Sequence, residues 1–202
     1  MNFLAHIYLS GNNELITIGN FMADGIRGNK YEGYPPEVQV GILLHREIDT
    51  FTDAHPIVRQ STKRLHENYS HYSGVIVDIL YDHFLAKNWS TYSEVPLDIY
   101  VQNFYKLIHS HFDILPDRTQ KMMPYMISGN WLLNYAHIEG IQEVLEGMNR
   151  RTKYVSGMHK ATVELQAYYQ EFEAEFSAFF EELIAFATLK RDEISHQILN
   201  QS

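Results

Sequence analysis

Charged residues stand inside stretches of this chain whose other residues read as buried helix, and that placement limits the folds open to it. The densest examples are His45-Arg-Glu-Ile-Asp49-Thr-Phe-Thr-Asp53-Ala-His55-Pro56 and Asp78-Ile-Leu-Tyr-Asp82-His83-Phe84. Burying a charge is costly unless it is paired, hydrogen-bonded or bound to a metal. The fold must therefore gather these groups rather than scatter them over its surface.

Helical periodicity runs along the sequence, without an alternating strand pattern, an internal repeat or a low-complexity linker. An all-α, single-domain helical bundle is expected, with helices over roughly 2–10, 13–26, 36–53, 57–69, 72–88, 97–112, 119–127, 130–147 and 158–189. The domain spans 1–189 and a polar C-terminal tail occupies 190–202. Pro35 and Pro36 suit a helix start, and Pro56 stops the helix before it. In the last helix Leu165, Tyr168, Tyr169, Phe172, Phe176, Phe179, Phe180, Leu183 and Phe186 recur at three- and four-residue steps, an aromatic stripe that packs on the body.

With 45% hydrophobic residues in 202, the chain can build a core, and without cysteine any metal is held by nitrogen and oxygen alone. No basic leader opens it, and no apolar run reaches the roughly 18 residues of a membrane span. A cytoplasmic protein with no membrane contact is expected. Of the net charge of −9, most comes from Val163 to Ser202, where eight acids face only Lys190 and Arg191. Arg150, Arg151, Lys153 and Lys160 form a local basic run free of acids. It is too small for nucleic acid but suits an acidic protein partner.

On a helical wheel His45 and Asp49 lie one turn apart beside Val38 and Ile42, and Asp78 and Asp82 lie one turn apart beside Val75 and Leu85. Two carboxylates so placed repel each other, which calls for a cation or a proton. With His6 and Asp24 they supply the ligands of a hard or borderline metal site, and metal-assisted hydrolysis is the chemistry expected. Plainer roles fit the same residues. His45 with Asp49 also fits a buried hydrogen-bonded pair, Asp24 a turn cap before Gly25, His6 a core histidine, and Asp53 with His55 an ordered helix end. Phosphate-binding glycine loops, Gly-x-Ser-x-Gly and His-Glu-x-x-His are absent from the sequence.

Together, Met1-Asn-Phe-Leu-Ala-His6, Gly19-Asn20-x-x-Ala-Asp24-x-x-Arg27-Gly28, Tyr34-Pro35-Pro36, His45-Arg46-x-Ile-Asp49-x-x-Thr52-Asp53, Asp78-x-x-Tyr81-Asp82-His83-Phe84-Leu85 and Gly147-Met148-x-x-Arg151 resemble the acyl carrier protein phosphodiesterases. The resemblance implies a helical fold related to the HD-domain phosphohydrolases and a divalent metal, manganese before magnesium or iron(II). It implies hydrolysis of the phosphodiester between 4'-phosphopantetheine and a serine of holo acyl carrier protein, a reaction of lipid metabolism. No adjacent His-Asp pair occurs anywhere in the chain. Asp24, His45, Asp49 and Asp82 are the expected ligands. Asp78, His83 and His6 are expected as catalytic or supporting groups, with His83 or His6 protonating the leaving oxygen. Arg27 and Arg46 are expected to contact phosphate, and Arg150, Arg151 and Lys153 to dock the carrier protein. Two alternatives stay open: an HD-like phosphohydrolase acting on a small nucleotide or phosphoester, and a non-enzymatic metal-binding helical module. Oligomeric state is not legible in the sequence.

Overall fold

The computed structural model describes residues 1–200, and among them every regular element is helical. The principal helices are α1 (Phe3–Leu9), α2 (Glu14–Met22), α3 (Pro36–Ala54), α4 (Pro56–Tyr69), α5 (Ser73–Lys87), α6 (Leu97–Ser110), α7 (Asp117–Ser128), α8 (Trp131–Asn134), α9 (Ile138–Arg151), α10 (Thr162–Ala167) and α11 (Tyr169–Leu199). Pro36 and Pro56 each stand at a helix start, where the missing N–H would have lacked an intrahelical partner. No helix among the described residues is long and apolar enough to cross a membrane.

α3 is the central member, lying between α2 and α11. From α11, Phe172, Phe176, Phe179, Phe180 and Leu183 are fully buried, each contributing about 1.5–3 kcal/mol relative to an exposed side chain. Tyr168, expected in the same stripe, is instead exposed, because the chain bends there and splits the expected helix into α10 and α11. α11 then continues to Leu199, well into the segment expected as a tail, with Ile194 buried. Residues 201–202 of that expected tail lie outside the described residues.

The expected helix over 130–147 is also interrupted, between Asn134 and Ile138. Two contacts account for the break. The carbonyl of Tyr135 turns aside to bond Nδ1 of His83 at 2.8 Å, and Gly140 lies so close to the carbonyl of Asn134 that a Cβ would collide with it. Helix periodicity reports the face of each half but not the turn between them.

α2 and α3 cross in contact at Gly19 and Gly41. A Cβ on Gly19 would strike the Val38 carbonyl, and one on Gly41 would strike the Ile16 carbonyl and the amide of Asn20. Neither obstacle is a flexible side-chain end, so neither can yield cheaply. Gly41→Ala should therefore destabilise the fold by roughly 1–3 kcal/mol through overpacking. Urea denaturation measures this, and an unchanged midpoint would show that the crossing tolerates separation.

Candidate metal centre

The tight crossing sets Asn20, on α2, between two histidines. Its side-chain NH2 donates to the His6 carbonyl at 2.9 Å and to Ser10 Oγ at 3.0 Å, which leaves Oδ1 as the acceptor for Nδ1 of His6 at 2.8 Å. The backbone carbonyl of Asn20 accepts from Nδ1 of His45 at 2.8 Å. Both rings are thereby fixed with Nδ1 protonated, and they stack 3.9 Å apart, tilted by 18°. Their Nε2 atoms face the same carboxylate. His6 Nε2 lies 3.2 Å from Oδ1 of Asp49, and His45 Nε2 lies 3.1 Å from its Oδ2. Asp24 Oδ1 stands 3.4 Å from His45 Nε2 on the exposed side.

His6, His45 and Asp49 each offer a ligand atom within 4.8 Å of the others. His6 Nε2 is buried and, among the described residues, has no hydrogen-bond partner. With Nδ1 protonated, it turns a lone pair toward a carboxylate oxygen that also has only lone pairs to offer. A cation between them relieves that conflict, and imidazole with carboxylate suits a divalent transition metal. Anchoring of both Nδ1 atoms by Asn20 is the arrangement that orients metal-binding histidines.

The electrostatics agree with the geometry. Burial and the neighbouring His45 ring pull the His6 pKa down to about 4, keeping it neutral. Burial also disfavours charge on His45, but contacts with Asp24 and Asp49 outweigh it and raise the pKa to about 9. Asp49, although burial opposes its charge, is held well below the usual carboxylate range by His45, with the Met1 amino group adding to it. A proton on His45 thus supplies positive charge that a divalent ion would replace.

Asp78 lines the same cavity, which measures about 430 Å³, and its carboxylate lies 3.0 Å from the amino group of Met1. Burial raises its pKa, against the opposing pull of that amino group. The amino group also reaches Asp49 at 3.7 Å, a contact that side-chain patterning did not foresee. Asp53 and His71 line the cavity as well.

Other expected site residues lie elsewhere. Asp82, expected as a ligand, is fully buried and spends both oxygens on the N-terminus of α1, accepting from Leu4 N at 2.7 Å and Ala5 N at 3.3 Å. Free N–H groups of a helix start need such an acceptor once α1 docks on α5. Burial pushes its pKa up to about 7, with those amides and the Met1 amino group opposing. His83, expected as a catalytic group, has both nitrogens engaged, with the Tyr135 carbonyl and with the Tyr169 hydroxyl at 2.8 Å. Arg46 donates to the carbonyls of Ile26 and Gly28 and lies over the Tyr31 ring, so it braces the loop after Asp24 rather than facing the cavity. Arg27 is exposed and lines neither this cavity nor the one beside it. Arg150 and Arg151 border that second cavity, and Lys153 is exposed beyond α9. His55 is bonded to Glu182 at 3.2 Å, away from the cluster.

Asn20 was missed as a functional residue, since its role depends on two partners, both from other helices. The signal available was a polar residue amid the apolar run Ile16 to Met22. Asn20→Ala should lower the affinity for a divalent ion by about 10- to 100-fold and shrink the rise in melting temperature expected on its addition. A stability loss with unchanged affinity would confine Asn20 to the fold.

The family model for acyl carrier protein phosphodiesterase matches residues 1–183. The chain is 34% identical over 184 residues to a protein of that name from Photorhabdus laumondii, covering 89% of this chain and 91% of the relative. The counterparts from Yersinia pestis and Escherichia coli K12 are also 34% identical, covering 89% and 94% of this chain and 94% and 99% of their own lengths. No solved structure matches. Sequence kinship along nearly the whole length places this chain in the acyl carrier protein phosphodiesterase family.

Proposed function

We propose that this protein hydrolyses the phosphodiester that joins 4'-phosphopantetheine to a serine of holo acyl carrier protein, at the cluster of His6, His45 and Asp49. The observation carrying this proposal is the unpartnered Nε2 of His6 turned toward Asp49 in a cavity open to solvent, within a chain of this family. Supported by Asp24, the three residues would hold a divalent ion, manganese first, that polarises phosphoryl oxygens and makes water a better nucleophile.

The chain's own groups divide the remaining work. Asn20 keeps both imidazoles aimed into the cavity. Asp78, half-buried on its wall and paired with the Met1 amino group, stands where a carboxylate can pass a proton from the attacking water to the departing serine oxygen. Oxygen from water bonds to phosphorus, the bond to the serine oxygen breaks, and apo carrier protein and 4'-phosphopantetheine leave. Placing His6 and His45 on α1 and α3 takes the part that an adjacent His-Asp pair plays in HD-domain enzymes.

Docking falls to the end of α9. Arg150, Arg151 and Lys153 are exposed there, followed by Tyr154 and Val155, which are 67% and 79% exposed. Lys153 and Tyr154 both hold positive φ, at 54° and 65°, a conformation costing of order 1 kcal/mol or more per residue. Basic charge flanking exposed apolar groups complements the surface of a small acidic protein.

Incubated with holo acyl carrier protein and manganese, the protein should remove the prosthetic group, seen by mass spectrometry, and Asp49→Asn should abolish this without unfolding. Persistence of the holo form would refute the proposed substrate. Charge reversal of Arg151 and Lys153 should raise the KM for holo carrier protein more than that for a small diester, most strongly at low salt, where screening is weakest. Equal effects on both would place docking on another surface.

A further inference from the structure

A second cavity, of about 360 Å³, adjoins the metal centre and shares Asn2, Phe3, Asp24 and Met148 with it. We propose that this cavity seats the pantetheine arm of the substrate, so that it selects a diester by the chain hanging from its phosphate. The inference rests on the substrate proposed above and assigns that substrate a place.

The two cavities differ in chemistry. The metal cavity alone holds Asp49, Asp53 and Asp78 beside His6 and His45, which suits an ion and its phosphate. Phe3, Met148 and Asn2 line both cavities. The neighbour adds Trp131, Val144 and the Asn134 carboxamide, together with the charged Arg118, Glu143, Glu146, Arg150 and Arg151. A pantetheine arm is neutral and combines a gem-dimethyl group with amides. Within that lining, Phe3, Trp131, Val144 and Met148 match the gem-dimethyl group and the carboxamides of Asn2 and Asn134 match the amides, the mix of apolar and polar groups found in small-molecule sites generally. Asp24 stands on the shared wall, within 3.4 Å of His45, so a chain in the second cavity leads its phosphate to the cluster.

Gly147 supplies an independent observation. Glycine inside a helix is weaker than alanine, so an interior glycine calls for a reason. Gly19, Gly41 and Gly140 have one, because backbone atoms of a neighbouring segment press against each. Gly147 lies within α9, and a Cβ there would meet only Arg150 Nη2, at 3.7 Å. Nothing in the protein needs the space. Gly147 lines the second cavity, so the room it leaves belongs to whatever that cavity receives.

Gly147→Leu fills this room without displacing backbone, and the variant should melt no lower than the parent. Its preference for holo carrier protein over bis(4-nitrophenyl) phosphate should fall by about tenfold or more. Calorimetry with free pantetheine should show binding to the parent that the leucine removes. Unchanged preference, pantetheine binding equally to both, or no binding to the parent would overturn the proposal. If Gly147→Leu does not fold, Val144→Phe obstructs the same space and is judged by the same criteria. A parent that leaves holo carrier protein intact yet binds pantetheine in a Gly147-dependent way would refute the proposed reaction while upholding the cavity.

Discussion

The contact of α2 with α3 at Gly19 and Gly41 is the constraint on which the site depends. Two helices seldom come within backbone contact, because side chains hold them about 8–10 Å apart. Glycine on both sides removes that spacing, and Asn20 follows Gly19 directly. The backbone of Asn20 thereby reaches His45 on α3 while its side chain reaches His6 on α1. Three helices are coupled through one residue. Widening the crossing would uncouple the orientation of the rings from the position of Asp49 long before the hydrophobic core failed.

Around that contact the protein handles its buried charges in different ways. The charge of Asp49 is offset by the protonated His45 and the Met1 amino group, at a site where an ion would take the place of the His45 proton. Asp82 is matched to the free amides of a helix start, one oxygen to each. Glu175, buried against α4, bonds Ser61 and takes a two-point contact from Arg64, with both nitrogen–oxygen distances 2.7 Å. A guanidinium matched in this way satisfies a carboxylate geometrically as well as electrostatically. Only the first of these clusters combines a buried, unpartnered nitrogen with access to a cavity.

The molecule's overall negative charge and its proposed substrate also constrain one another. A chain of net charge −9 repels an acidic partner at long range, so close approach requires a local reversal of sign. The basic run at the end of α9 provides one and borders the cavity proposed for the arm, while the aspartates of the metal cavity lie beyond it. On this proposal, the basic run, the second cavity and the His6, His45 and Asp49 cluster follow one another along a continuous path.

What could be read along the chain was whatever repeats at the period of a helix. The pairing of His45 with Asp49, the aromatic stripe of α11 and the starts at Pro36 and Pro56 all lie within a single element, where local geometry fixes which residues share a face. Kinship was legible for a related reason: the motifs that carry the resemblance are short local patterns, spread from residue 1 to 151. Tertiary structure decided the rest. The i, i+4 spacing of Asp78 and Asp82 implied a shared task, yet docking of α1 gave Asp82 to its amides and left Asp78 facing the cavity. His83 lost its free nitrogens to Tyr135 and Tyr169, and Arg46 was drawn to the loop after Asp24. In each case a polar group took the partner that folding brought within about 3 Å. Sequence determines which groups are available and the face each occupies; only the packed fold determines which hydrogen bonds are already made, and therefore which groups stay free to bind an ion.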